Sequence, residues 1–222
     1  MGGRKTKELA VKKSDIDYSV YLVTDRGLSK GRSTLDIVTA AVSGGASVVQ
    51  LREKSANTRE VIEEALRLKA FLRETGVPLI INDRLDVAQA VQADGVHLGQ
   101  NDMPIEMARH LVGDRMIIGI SAESVQDAIA AERAGADYLG VSPIYATPTK
   151  TDTAAPLGLE GLRHIRRAVA IPLVGIGGLN RDNTREVIAA GADGVAVVSA
   201  IVSADNPESA ARELRRLVEE SR

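Results

Sequence analysis

The sequence predicts an α/β protein built as a single (βα)8 barrel. Three observations carry that prediction. A phrase recurs four times: Gly44-Gly45-Ala46-Ser47-Val48-Val49-Gln50-Leu51, Ala93-Asp94-Gly95-Val96-His97-Leu98, Gly135-Ala136-Asp137-Tyr138-Leu139-Gly140-Val141 and Gly191-Ala192-Asp193-Gly194-Val195-Ala196-Val197-Val198. Each copy follows an Ala-rich amphipathic stretch, so each reads as a helix stop followed by a short buried strand. Such strands alternate strictly with helical patterns, the signature of a parallel sheet covered on both faces. Eight such units fit 222 residues without a linker, and that number closes most naturally into a TIM barrel. A doubly wound open sheet is the alternative arrangement.

In chain order, residues 1–17 read as an N-terminal extension, loose or briefly helical, and residues 18–222 as the barrel domain. The first strand covers Tyr18–Thr24, and its helix Ser33–Ser43 starts on a Ser cap and stops at Gly44. Ser47–Leu51 is a β-branched run, followed by a helix over Arg59–Glu74 with Thr58 as its start signal. Leu79–Asn82 with Leu85–Gln92, and Val96–Leu98 with Pro104–Leu111, repeat the pattern. Met116–Ser121 precedes a helix over Ser124–Ala134, again capped by Ser. Tyr138–Val141 pairs with Leu159–Val169, and Pro172–Gly175 with Asp182–Ala190. The last strand, Gly194–Val198, leads to a helix over Pro207–Glu220, opened by Asn206 and a proline in the first turn.

Composition narrows the function. Lys and Arg number 28 against 30 Asp and Glu, a net charge of −2, so no global positive field calls for nucleic acid. The absence of Cys removes disulfides, thiolate metal sites and a thiol nucleophile, and it fits a reducing, cytoplasmic location. No apolar run approaches a membrane span, and the charged start lacks a secretory signal. Aromatic residues make up 2%, which predicts a core of Val, Ile, Leu and Ala and no base-stacking platform. Partners are therefore small molecules, with no nucleic acid and no membrane; a homo-oligomer is compatible with the sequence.

In such a barrel chemistry gathers at the C-terminal ends of the strands. Those ends are polar here: Thr24-Asp25-Arg26, Gln50-Leu51-Arg52-Glu53-Lys54, Asn82-Asp83-Arg84, Gln100-Asn101-Asp102, Ser121-Ala122-Glu123 and Thr147-Pro148-Thr149-Lys150-Thr151. Gly175-Ile176-Gly177-Gly178 and Val198-Ser199-Ala200 follow the last two strands, where backbone amides form the usual phosphate cradle; the plainer reading is tight-turn glycines. Arg52, Lys54 and Lys150, beside Gln50, Asn82 and Ser121, suit a second and larger anion such as a diphosphate; otherwise they are solvated loop charges. Strand alternation can direct Glu53 away from them.

Asp83 and Asp102 follow neighbouring strands and offer oxygen ligands suited to Mg2+ beside a diphosphate. Their structural alternatives are an ion pair to Arg84 or Arg52 for Asp83 and a helix cap for Asp102. His97 is either a general base or a satisfied residue behind the site. The chain holds no Ser-His-Asp arrangement, zincin motif or Walker A sequence.

Taken together, the ordered phrases resemble the thiamine-phosphate synthase family. They are Tyr21-Leu22-Val23-Thr24-Asp25-Arg26, Gln50-Leu51-Arg52-Glu53-Lys54, Ile81-Asn82-Asp83-Arg84, Gly95-Val96-His97-Leu98-Gly99-Gln100 with Asp102, Thr147-Pro148-Thr149-Lys150, Gly175-Ile176-Gly177-Gly178 and Val198-Ser199. The resemblance spans about residues 18 to 220. It implies a Mg2+-dependent transferase that joins 4-amino-2-methyl-5-(diphosphooxymethyl)pyrimidine to 4-methyl-5-(2-phosphooxyethyl)thiazole, releasing thiamine phosphate and diphosphate. It further implies that Gln50, Leu51, Arg52, Glu53, Lys54, Asn82, Ser121 and Lys150 bind the pyrimidine diphosphate. Of these, Arg52, Lys54, Ser121 and Lys150 would be catalytic. Asp83 and Asp102 would bind Mg2+, and Thr147, Pro148, Thr149, Gly178, Val198 and Ser199 would bind the thiazole phosphate.

One departure stands in loop six, where Ser142-Pro143 replaces the family's frequent Gly-Pro pair. Alternative functions are a thiazole tautomerase, a thiamine-phosphate sensor and a phosphosugar isomerase with Glu53 or Glu123 as base. The full set Arg52, Lys54, Asn82, Asp83 and Lys150 argues against the first two.

Overall fold

A computed structural model describes residues 13–147 and 155–222. Eight parallel strands close in sequence order into a barrel: β1 (Val20–Val23), β2 (Val48–Leu51), β3 (Leu79–Asn82), β4 (Gly95–Leu98), β5 (Ile117–Ala122), β6 (Tyr138–Val141), β7 (Leu173–Ile176) and β8 (Gly194–Val197). β8 returns to β1 through Val20–Val195 and Leu22–Val197, which leaves no sheet edge. The surrounding helices are α1 (Thr34–Ser43), α2 (Thr58–Thr75), α3 (Leu85–Val91), α4 (Ile105–Val112), α5 (Val125–Arg133), α6 (Gly158–Ala168), α7 (Thr184–Ala189), α8 (Ser199–Val202) and α9 (Pro207–Glu219). None of the helices among the described residues is long and apolar enough to cross a membrane.

The expected caps form at Ser33, Ser124 and Asn206, whose side chains accept the backbone N–H of Asp36, Asp127 and Ser209. α2 differs by one residue. Its cap is Asn57, not Thr58, because Asn57 and Glu60 each accept the other's backbone N–H in a reciprocal capping box. Ahead of the barrel, Lys13–Asp15 is one short 3-10 turn, and Lys13 Nζ reaches Asp137 at 3.0 Å.

Two apolar clusters follow from the alternation of strand side chains. Outward residues such as Leu22, Val49, Leu51, Ile81 and Leu139 pack beneath the helices in an aliphatic layer. The interior departs from the composition-based expectation. Three of the four tyrosines lie inside the barrel: Tyr18, Tyr21 and Tyr138, with Val48, Ile80, Ile117 and Val174. Tyr138 is central, its ring centroid 4.9 Å from that of Tyr18 and 5.8 Å from that of Tyr21. β5 and β6 make room for the Tyr138 and His97 rings with glycines. A Cβ on Gly119 would stand 2.1 Å from Tyr138 Cζ, and one on Gly140 would stand 2.9 Å from His97 Cε1.

Candidate active site

A cavity of about 540 Å3 opens at the C-terminal mouth of the barrel, within the size range of small-molecule sites. Gln50, Arg52, Lys54, Asn82, Asp83, Asp102, Ser121, Thr147, Gly178, Val198 and Ser199 all line it. The structure brings these positions together from β2, β3, β5 and the loops beyond β2, β3, β4, β6, β7 and β8. Pro148, Thr149 and Lys150 lie outside the described residues.

Leu51 and Glu53 do not join them, and their side chains are a correction to the pattern read from the sequence. From Gln50 onward side chains alternate in and out, so Gln50, Arg52 and Lys54 face the cavity. Leu51 is buried beneath the helices. Glu53 turns to Arg26, 3.3 Å away, with its Oε2 buried and without a hydrogen-bond partner.

The cationic side is held in place by carboxylates. Arg52 Nη1 donates to Asp25 Oδ2 at 3.1 Å, and the Arg52 backbone N–H donates to Thr24 Oγ1 at 3.0 Å. Lys54 Nζ donates to Asp83 Oδ2 at 2.5 Å. Asp83 therefore pairs with Lys54 rather than with Arg84 or Arg52; Arg84 instead binds Asp86. Asp83 has φ of +62°, a left-handed conformation that Asp tolerates better than most residues but that still marks a constrained position. Its backbone N–H donates to His97 O at 2.8 Å, which fixes the turn between β3 and β4.

Asp102 is not a helix cap. Its Oδ2 accepts the Gly99 N–H at 2.7 Å and closes the loop after β4, while α4 begins beyond Pro104. Burial, and then Asp83 beside it, push the Asp102 carboxyl above the usual carboxylate range. Two adjoining carboxylates are hard oxygen donors, but among the described residues no group of three or more His, Cys, Asp or Glu forms a full metal cage.

Across the mouth, Gly177 and Gly178 occupy left-handed backbone, with φ of +102° and +66°. A Cβ at Gly178 would lie 2.8 Å from Ala146 O, and one at Gly177 would lie 2.7 Å from Pro143 Cβ. Loop six is bonded to the same strand: Ile144 N–H donates to Ile176 O at 2.9 Å, and Tyr145 N–H to Gly177 O at 3.1 Å. The glycines thus serve the packing of two loops as well as any ligand.

His97 bridges Tyr138 and Ser121: Nδ1 lies 2.9 Å from the Tyr138 hydroxyl and Nε2 lies 3.0 Å from Ser121 Oγ. Tyr21 and Tyr138 line the same cavity, as do Gln100 and Asn180. No motif pointed to Tyr138. Its one signal is that it fills the place that Val48, Gly95 and Gly194 hold in the other copies of the repeat.

The family described as "Thiamine monophosphate synthase" matches residues 20–201. The chain belongs to that family. It is 59% identical over 203 residues to the thiamine-phosphate synthase of Chloroflexus aurantiacus, which covers 91% of this chain and 94% of that one. It is 55% identical over 200 residues to that of Albidiferax ferrireducens, covering 90% and 91%. A solved thiamine phosphate pyrophosphorylase from Pyrococcus furiosus superposes with a TM-score of 0.86 at 44% identity, covering 93% of this chain and 98% of that one. The loops after β7 and β8 and the Gln50–Lys54 segment all fall inside the matched region of this thiamine monophosphate synthase family member.

Proposed function

We propose that this transferase joins the pyrimidine diphosphate and the thiazole phosphate to form thiamine phosphate and diphosphate. The observation that carries the proposal is one cavity lined by cationic and hydrogen-bonding side chains and also by glycine-rich loop backbone. Arg52, Lys54, Asn82 and Ser121 face it from one side, and Gly177, Gly178, Val198 and Ser199 from the other.

The division of labour follows from the chemistry. The carbon–oxygen bond to the diphosphate breaks, and the developing charge on the exocyclic carbon spreads into the aminopyrimidine ring. The thiazole nitrogen then forms its bond to that carbon. No proton has to be removed at the reacting carbon, so anion binding and positioning dominate. Arg52 and Lys54 orient and neutralise the departing diphosphate, with Asn82 and Ser121 as hydrogen-bond donors. Asp25 holds the Arg52 guanidinium in its orientation at 3.1 Å. Gln50 takes the pyrimidine edge. Lys150, with Thr147, Pro148 and Thr149, serves from loop six, and Gly178, Val198 and Ser199 take the thiazole phosphate.

Asp83 and Asp102 would hold Mg2+, whose preference for oxygen ligands and retained waters suits two carboxylates beside a diphosphate. When bound, the ion neutralises diphosphate charge and makes it a better leaving group.

The test is turnover of purified protein with both phosphorylated substrates, with and without Mg2+, reading thiamine phosphate by fluorescence after oxidation. Mg2+-dependent product is expected. Thiazole phosphate binding without product would overturn the diphosphate half of the site.

A further inference from the structure

We propose that Gln50, Tyr21, Tyr138, His97 and Ser121 form a one-directional hydrogen-bond relay that couples recognition of the two ends of the diphosphate substrate. Tyr21, Tyr138 and His97 act in it as positioning residues. The proposal rests on the reading above, in which Gln50 meets the pyrimidine and Ser121 the diphosphate.

The links are continuous. Gln50 Nε2 donates to the Tyr21 hydroxyl at 2.9 Å, and the Tyr21 and Tyr138 hydroxyls lie 2.7 Å apart. The Tyr138 hydroxyl lies 2.9 Å from His97 Nδ1, and His97 Nε2 lies 3.0 Å from Ser121 Oγ. Each phenol carries one proton. Because Tyr21 accepts from Gln50, its own proton goes to Tyr138. The Tyr138 proton then goes to His97 Nδ1, which must be the unprotonated ring nitrogen. Nε2 carries the imidazole proton and donates to Ser121, whose hydroxyl proton remains for an acceptor in the cavity. At the other end Gln50 keeps its carbonyl oxygen and a second N–H. That pair complements an amino group beside a ring nitrogen.

The surroundings hold the relay in this sense. Gln50, Tyr21 and Tyr138 are 5%, 2% and 1% exposed, so little water reaches the two links among them. Burial pushes both phenols well above their ordinary range, so both stay protonated. The missing Cβ atoms at Gly119 and Gly140 open the seats that the Tyr138 and His97 rings occupy. Reversing the relay would leave Ser121 without a proton for an anion and would turn the Gln50 amide over. A ligand that needs a donor at Ser121 and an acceptor at Gln50 therefore selects one sense at both ends.

The protein has three histidines, so 15N NMR of the full chain resolves the His97 tautomer, free and with inorganic diphosphate as the probe. The expected wild-type signature is a proton on Nε2 and none on Nδ1, and a proton on Nδ1 would overturn the relay. Tyr138→Phe keeps the ring and cuts the chain at its middle. We expect it to give a mixture of tautomers and to raise KM for the pyrimidine diphosphate about tenfold, with KM for the thiazole phosphate within about twofold. An unchanged tautomer or an unchanged pyrimidine KM would overturn the proposal. The tautomer is read without turnover, so an inactive wild-type protein would count against the assigned reaction while the relay is judged on its own signature.

Discussion

Asp137 Oδ2 accepts the backbone N–H of Ile118 at 2.8 Å, while the Asp137 backbone N–H donates to Ile118 O, also at 2.8 Å. One residue thus grips both polar groups of a residue at the start of the preceding strand. The same grip recurs at Ser47 on Val20, Asp94 on Leu79 and Asp193 on Leu173. These are the polar positions of the four repeated phrases, and they open β2, β4, β6 and β8. The repeat therefore encodes a clamp that sets the register of strand pairs at the floor of the barrel, opposite the site.

Asp137 also receives Lys13 at 3.0 Å and Arg109 at 2.6 Å. Asp137→Ala strands the buried Ile118 N–H and leaves two cations without their carboxylate. We expect a loss of about 2–3 kcal/mol, against about 1 kcal/mol for Ser47→Ala, where a neutral hydroxyl makes the clamp. Urea unfolding of the two variants measures the difference. Equal losses would show that the carboxylate adds nothing beyond a neutral clamp.

Asp94 makes the same clamp, and burial is the largest influence on its carboxyl, raising its pKa above 3.8 despite the Leu79 N–H and Lys69. A raised folded-state value means that protonation stabilises the fold. That contribution is complete below the unfolded value of 3.8 and is lost as pH rises through the higher folded value. Asp94→Asn removes the dependence while keeping a carbonyl acceptor for Leu79. The Tm of the variant relative to wild type should therefore rise as pH increases from acid to neutral. A pH-independent difference between the two would sink this account.

Asp25 holds Arg52 at the cavity on the loop after β2, whereas Gly178 and Ser199 follow β7 and β8. Arg52→Ala should lower kcat by about 100-fold, as expected for loss of a charge-stabilising donor, with the Kd for thiazole phosphate changed by less than about twofold. Single-turnover kinetics and calorimetry separate the two. A parallel loss in both would place Arg52 in general anion binding instead.

Gly178→Ala introduces a Cβ 2.8 Å from Ala146 O at a φ of +66°. Both the strain and the displaced loop act on the segment proposed to take the thiazole phosphate. The expected outcome is a stability loss of about 1–2 kcal/mol and a KM for thiazole phosphate raised about tenfold or more, with a smaller change for the pyrimidine substrate. Steady-state kinetics with each substrate varied in turn reads this split.

Much of this is legible in the sequence alone. Short continuous runs of Val, Ile and Leu, Gly after helices and Ser or Asn before them report on local backbone preference, and local preference repeated eight times leaves few closed arrangements. Polar residues just beyond apolar strands marked the mouth of the barrel, because a barrel strand has only one end where loops of this kind gather chemistry. The shift of the α2 cap from Thr58 to Asn57 is a small failure of the same reasoning, since both residues cap well and only the Glu60 partner separates them.

The sequence by itself determined the barrel, the order of its units and most of the described residues that line one mouth, because each rests on a pattern within a few residues. Only the tertiary structure decided which neighbour each charged group takes: Lys54 for Asp83, Asp25 for Arg52, Arg26 for Glu53. Only the closed sheet set Tyr21, Tyr138 and His97 in one hydrogen-bonded line, with Gly119 and Gly140 vacating the space their rings fill. Those partners come from different strands, and the distances between strands are fixed by closure rather than by any local run of residues.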